Sequence, residues 1–423
     1  MYLEHVGVIN RWMDEHLEEY TRFLQKLVQE ESVRYQESKG QAVIIEKCRE
    51  LGLNLDIWEI GEDNLFQHPQ FHSDRKDFQG NPNVVGVLKG KGGGKSLILN
   101  GHIDVVPTGN EKDWSVPPFS GKLEDGKLFG RGATDMKGGT AAILFALDAI
   151  ISNNIRLKGD VIFQSVIEEE SGGAGTLATL IRGYKADGAI IPEPTGLKIF
   201  PKQQGSIWFR MKVKGKQAHG GTRYEGVSAI EKAIIVFNHL KELERKRNHS
   251  MKDPLYQSIP IPVPINVGKI EGGSWPSSVP DLVTLEGRLG IRPDETVDDA
   301  KKEMEETLLQ LKHVDEWFET HPVELEWFGA RWLPGNVATD HPLMNTVEQS
   351  YKQVTKKDPI IEASPWGTDG GILSQIGNIP VIVFGPGVTE VAHDQDEYIH
   401  IKDMLTAAKT IAISILHWCE VVK

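Results

Sequence analysis

At 423 residues the chain is too long for one ordinary core, and its length suits two or three domains. A 39% hydrophobic, 25% charged composition is that of a soluble globular protein, and 43 Gly and 22 Pro form no low-complexity tract. A net charge of −13, with only the interrupted basic cluster Lys241 to Arg247, argues against nucleic acid as a partner.

The chain opens on a polar, acidic stretch unlike a signal peptide. Apolar residues then recur at Ile9, Trp12, Leu17, Tyr20, Phe23, Leu24, Leu27 and Val28, which predicts one amphipathic helix. Alternation over Leu53 to Ile60 predicts a half-buried strand. Asn83 to Lys89 and Ser96 to Asn100 read as further strands around the glycine-rich turn GKGGGK. That turn is not a phosphate-binding loop, because Lys89 stands where the first glycine is needed and a strand follows it. Next come an apolar helix over Met136 to Ile151, a buried strand over Asp160 to Ile167, a short helix over Thr176 to Tyr184 and a strand over Asp187 to Ile191. Such alternation implies an α/β layer with parallel strands.

From residue 203 the texture changes. Ser206 to Lys214 alternates, Val227 to Leu243 is helical, and Ile261 to Ile270 and Asp281 to Ile291 are strands. Val297 to Leu311 is a helix opened by a Thr296–Asp299 capping box. Helix Leu343 to Val354, strand Ile379 to Phe384 and helix Met404 to Leu416 restore the α/β pattern. The expectation is therefore an α/β domain over 1–202 and 321–423, interrupted by an α+β domain over 203–320. No apolar stretch approaches the ~18–20 residues that span a bilayer, and Cys48 and Cys419 are too few for a disulfide framework. A cytoplasmic protein with no membrane partner is expected.

Five segments that follow predicted strands carry a histidine or carboxylate, at the sheet edge where α/β proteins bind ligands. They are Gly101-His102-Ile103-Asp104, the Asp135 segment GRGATDMKGG, Glu168-Glu169-Glu170-Ser171-Gly172-Gly173, Pro192-Glu193-Pro194-Thr195, and Ala392-His393. Singly, each has a plain alternative: His102 as a hydrogen-bonded structural residue, the glutamate run as a solvated face, Glu193 as a turn cap. Together, two histidines and several carboxylates make the ligand set that zinc or a similar divalent ion prefers. Three adjacent carboxylates leaving a buried strand also repel unless a cation or protons relieve them.

These motifs, GHIDVVP, FGRGATDMKGG, EEESGG, PEPT and AHDQDEY, occur in one order between Gly101 and Tyr398. In that order the chain resembles the M20 metallopeptidase and deacylase family, the group of acetylornithine deacetylase, succinyl-diaminopimelate desuccinylase, aminoacylase-1 and carboxypeptidase G2. The resemblance implies a zinc-exopeptidase-like catalytic domain with an inserted ferredoxin-like domain for dimerisation or lid closure, and a homodimer. It implies two Zn²⁺, with Co²⁺ able to substitute: His102 and Glu193 on one, Glu170 and His393 on the other, Asp135 bridging. Asp104 would orient His102, and Glu169 would be the general base, with Glu168 as the alternative register. His219, in Gln217-Ala218-His219-Gly220-Gly221, would stabilise the oxyanion. Asn266 and Arg292 would grip the substrate, with Arg288 as the rival arginine, and Asp369 would contact a substrate amine. Ser278 stands in a stretch where many relatives carry asparagine.

The chemistry needs no serine or cysteine nucleophile. A water between two divalent ions is acidified toward neutral pH, and a neighbouring carboxylate can move its proton. The expected activity is removal of an acetyl, succinyl or formyl group from a small amino-acid-like amine. A dipeptidase or carboxypeptidase with the same centre, a deformylase of a heterocyclic amine, and a binding protein without catalysis are the competing readings.

Overall fold

The computed structural model describes residues 2–61 and 64–422. The chain divides into two units, Met1–Lys202 with Gly335–Ser364 and Thr368–Lys423, and Gln203–Pro334 with Pro365–Gly367.

The first unit is built on a nine-stranded sheet. Its strands run in the order Asn54–Glu59, Pro82–Leu88, Val161–Val166, Leu97–His102, Ala189–Ile191, Val381–Val383, Ile199–Gln203 and Gly335–Asn336, and Ile361–Ser364 pairs beside Ile199–Gln203. The four strands from Val161–Val166 to Val381–Val383 are mutually parallel. They are buried along their whole length, as near-continuous apolar runs in a two-sided sheet must be. One face packs on the helices Gly138–Ser152 and Ile401–Trp418 in a large apolar core. Ile98, Ile162, Ala189 and Ile191 face a smaller cluster with Leu373 and Ile379. After Leu97–His102 the chain crosses to one side in the sheet, and after Ala189–Ile191 it crosses to the other. The gap beyond these two adjacent strand ends is thus a topological switch point, where open α/β sheets bind ligands.

The opening helix is interrupted: Tyr2–Glu15 and Leu17–Gln29 are separate. The His16 ring stacks on Trp12 with centroids 3.9 Å apart, and its Nδ1 lies 2.7 Å from the Trp12 carbonyl oxygen. Tyr20 pins the second helix down by stacking on Phe145 and donating to Asp148 at 2.7 Å.

The second unit is an antiparallel sheet in the order Ile265–Gly272, Leu282–Ile291, Gly205–Lys214, Glu324–Trp332. With helices Ala229–Ser250 and Val297–Leu309 the chain order is βαββαβ, the ferredoxin-like arrangement. Alternate residues Ile207, Phe209, Met211 and Val213 are buried against the helices, as a strand with one packed face requires. The Thr296–Asp299 capping box is formed. The unit continues to Pro334, not residue 320, because Glu324–Trp332 completes this sheet beside Gly205–Lys214.

Candidate active site

Three of the parallel strands and two loops deliver the site of the first unit. His102 is the last residue of its strand and is 1% exposed. Its Nδ1 lies 2.8 Å from the backbone carbonyl oxygen of Asp104. That bond places a proton on Nδ1 and turns Nε2 inward. There Nε2 is 3.2 Å from Asp135 Oδ1 and 3.8 Å from Glu193 Oε1. Asp135 sits in the irregular segment Ala133–Lys137. Its second oxygen, Oδ2, is 3.3 Å from His393 Nε2, which is itself 3.2 Å from Glu170 Oε1. One carboxylate therefore stands between two histidines and shows a different oxygen to each.

Ligand atoms of His102, Asp135 and Glu170 lie within 4.8 Å of one another, as do those of His102, Glu169 and Glu193. Burial pushes the Glu169 and Glu193 carboxyls well above their ordinary range, and neighbouring carboxylates add to it. For His102 burial opposes the charge, but Asp135, Glu193 and Asp104 hold its pKa well above normal. Hydrogen bonding to Asp135 and then Glu170 raises His393 to about 11. Such crowding of buried acceptors is what a divalent cation relieves, so a metal fits this donor set of imidazole and carboxylate.

Several roles take a different form from the expectation. The Asp104 carboxylate does not hold the His102 ring: its Oδ1 is 3.9 Å from Nδ1, and the backbone oxygen makes the contact. Instead the carboxylate accepts the backbone N–H groups of Glu169 at 3.3 Å and Glu170 at 3.1 Å. Glu168 is fully buried and bound by Arg34, Arg75 and Ser73. Asp369 lies near the cluster at the head of helix Gly370–Gln375, with Oδ2 accepting from the Thr176 hydroxyl at 2.7 Å. Asp369 is 1% exposed, and its Oδ1 is buried without a hydrogen-bond partner.

Two residues that motif reading passed over tie the metal-ligand loops together. Glu397 accepts the backbone N–H groups of Thr134 at 2.9 Å and Asp135 at 3.1 Å, and pairs with Arg131 at 2.7 Å. Arg131 in turn donates to the His393 carbonyl oxygen at 3.4 Å. Both lie inside the quoted motifs, and a charged pair within otherwise glycine-rich or loop sequence was the available signal. His393 itself has φ +63°, a left-handed backbone that few non-glycine residues adopt.

In the second unit, His219 is exposed at the end of a two-residue strand whose partner is Ser278–Val279. Its Nδ1 accepts the Gly221 N–H at 3.1 Å, so the neutral ring carries its proton on Nε2 and can donate from there. Asn266 is directly opposite Arg288 across the sheet. Arg292, the expected partner of Asn266, lies past the end of that pairing and is occupied by Asp294, Glu295 and Ser250. Among the described residues no acid pairs with Arg288, its Nε has no hydrogen-bond partner, and burial lowers its pKa. Of the two rival arginines, Arg292 is thus paired with acids and Arg288, among the described residues, is not.

The sequence pattern that defines peptidase family M20/M25/M40 matches residues 98–417. The chain belongs to this family. Members of family M20 hydrolyse amide bonds, and this protein is a hydrolase of that kind. An N-formyl-4-amino-5-aminomethyl-2-methylpyrimidine deformylase of Halalkalibacterium halodurans is 34% identical over 406 residues, covering 91% of this chain and 90% of that one. A probable succinyl-diaminopimelate desuccinylase of Staphylococcus aureus is 30% identical over 346 residues, with 74% and 80% covered. The dipeptidase Dug1p of Saccharomyces cerevisiae has the same fold, with a TM-score of 0.78 at 14% identity over 99% of each chain.

Proposed function

We propose that this M20 protein is a two-zinc deformylase that cleaves the N-formyl amide of an aminomethylpyrimidine or a closely related heterocyclic amine. Its similarity to the H. halodurans deformylase, over nine-tenths of both chains, carries this choice of acyl group and amine. The site supports the reaction type. His102 and Glu193 would hold one cation, Glu170 and His393 the other, and Asp135 both, since its two oxygens face different histidines. Imidazole with carboxylate suits zinc, with Co²⁺ as a substitute. When bound, two such ions supply an acidified water and a polarised carbonyl.

Glu169 is the base. Its carboxylate takes the proton of the attacking water and returns it to the leaving amine nitrogen, so that formate and free amine are the products. Asp104 keeps Glu169 and Glu170 in place through their backbone amides. His219 donates from Nε2 to the developing oxyanion, a contact typically worth about 3 kcal/mol. A homodimer is part of the proposal: Ile230, Ile234 and Phe237 expose an apolar stripe on one face of helix Ala229–Ser250, and a second copy would cover it. A cytoplasmic location accords with two buried free thiols. Among the described residues no helix is long and apolar enough to cross a membrane.

One observation favours a second reading. Arg288 beside Asn266, without an acid of its own, suits a substrate carboxylate and hence an N-acyl amino acid. The test is a competition between N-formyl aminomethylpyrimidine and N-succinyl or N-acetyl amino acids, using Zn²⁺- or Co²⁺-loaded protein. The proposal expects formate release with a kcat/KM at least ~100-fold above that of the amino-acid substrates, a gap of about 2.7 kcal/mol. Preference for an acyl amino acid selects the second reading, and full metal loading without turnover of either class refutes both.

A further inference from the structure

We propose that Arg34 and Arg75 form a positioning clamp that aims the catalytic Glu169–Glu170 pair by gripping the neighbouring Glu168. The proposal rests on the reading of Glu169 as base.

Glu168 is an unusual residue to find next to a catalytic pair. Its side chain has no solvent exposure, yet its carboxylate receives four hydrogen bonds. Arg34 donates from Nε at 2.8 Å and from Nη2 at 3.0 Å, Arg75 from Nη1 at 2.9 Å, and Ser73 from its hydroxyl at 2.7 Å. The two arginines come from separate segments and are themselves fixed. Arg75 also binds Glu37 and the Asp77 carbonyl oxygen, and Arg34 also binds Asp74. The Tyr35 ring lies against both guanidinium groups, at 5.2 Å from Arg34 and 4.6 Å from Arg75.

Burying this much charge is a poor way to stabilise a fold, since apolar side chains of similar volume serve as well or better. What a forked guanidinium adds is direction. Glu168 needs direction because its backbone is left-handed, φ +63°, a state that persists only where the surroundings impose it. The same residue's carbonyl oxygen accepts the Gly173 N–H at 2.8 Å. The start of the loop is thus held by the Glu168 side chain and, at the next two residues, by Asp104 through the Glu169 and Glu170 amides. Asp104 fixes the backbone amides of the two glutamates. The clamp sets the turn from which Glu169 projects, and a misplacement of ~1 Å at such a group costs on the order of 10²-fold in rate.

Arg34 is the member to change, because its side chain is 28% exposed while that of Arg75 is 1% exposed. In Arg34→Ala we expect kcat to fall ~10- to 100-fold, KM to stay within about threefold and bound metal to remain at the wild-type ratio. Backbone amides of residues 167–173 should exchange with deuterium at least ~10-fold faster, while the rest of the chain keeps its protection. Arg34→Lys should recover only part of kcat, since an ammonium lacks the fork. Glu168→Gln, which keeps the shape but loses the charge, should reproduce the kcat loss and decides the matter if Arg34→Ala does not fold. Wild-type kcat in either folded variant overturns the clamp. So does a loss of rate that only tracks a loss of bound metal. Kinetics are read on whichever amide the wild type hydrolyses, and the exchange measurement needs no substrate. Failure of the deformylase reading therefore leaves this test standing.

Discussion

Removing the metal should make the stability of the protein depend steeply on pH. In the metal-free chain, burial raises the Asp104 carboxyl from its ordinary 3.8 to about 8, Glu397 to about 7 and Asp369 to about 6. Glu169 and Glu193 move the same way. An unfolded chain gives up these protons near pH 4, whereas the folded chelated chain holds them to higher pH. Between pH 5 and pH 8 the folded state binds more protons than the unfolded one, so its stability falls as pH rises. The raised pKa of His393 acts in the same direction above about pH 6.5, while the lowered pKa of Asp135 matters only in acid. For Asp104 alone, three pH units at ~1.4 kcal/mol each come to about 4 kcal/mol. At ~2–4 °C per kcal/mol that is roughly 10 °C in Tm. Bound cations favour the ionised carboxylates and remove the slope. The assay is calorimetric unfolding of chelated and loaded protein at pH 5 and pH 8, with the difference in Tm between the two forms as the readout. That difference should widen by roughly 10 °C toward pH 8. Parallel Tm curves would show that the buried carboxylates are not relieved by a cation, and would refute the reasoning.

Glu169→Gln should lower turnover by ~10²- to 10⁴-fold at unchanged metal content, measured by elemental analysis beside a steady-state assay; activity within tenfold of wild type removes Glu169 as base. In Asp135→Asn both cations should bind weakly, because each histidine faces a different oxygen of Asp135. A Co²⁺ titration that loses only one equivalent would contradict the shared position. Arg288→Ala should raise KM at least ~10-fold for a carboxylate-bearing substrate, while Arg292→Ala, already paired with Asp294 and Glu295, stays within about twofold. The reverse result would restore Arg292 to the substrate.

The metal-ligand candidates were legible because strand ends and their short motifs are local features. A buried run such as DVIFQSVI announces its own end, and Glu168 to Glu170 follow at once. What was not legible depends on pairing between distant segments. The burial of Glu168 turned on Arg34 and Arg75, 134 and 93 residues away from it, and no periodicity links them. For Asp104, spacing could not say whether main chain or side chain meets the His102 ring, and the backbone oxygen is the nearer. Arg288 and Arg292 have the same parity, so alternation could not separate them. The register opposite Asn266 does. The extension of the second unit to Pro334 was missed for a similar reason: Glu324–Trp332 is half exposed and aromatic, and becomes a strand only through its neighbour Gly205–Lys214.

The left-handed backbone at His393 has a consequence for anyone who would engineer this protein. Glycine is the residue that adopts such a conformation without steric penalty, so a design rule that looks only at backbone angles would favour it here. Such a rule would select His393→Gly. That variant would relieve one dihedral angle and lose the imidazole that faces Glu170 and the second oxygen of Asp135, together with the ion pairs that raise its pKa and stabilise the folded chain. At this position backbone comfort and the chemistry of the side chain pull on the same dihedral angle in opposite directions.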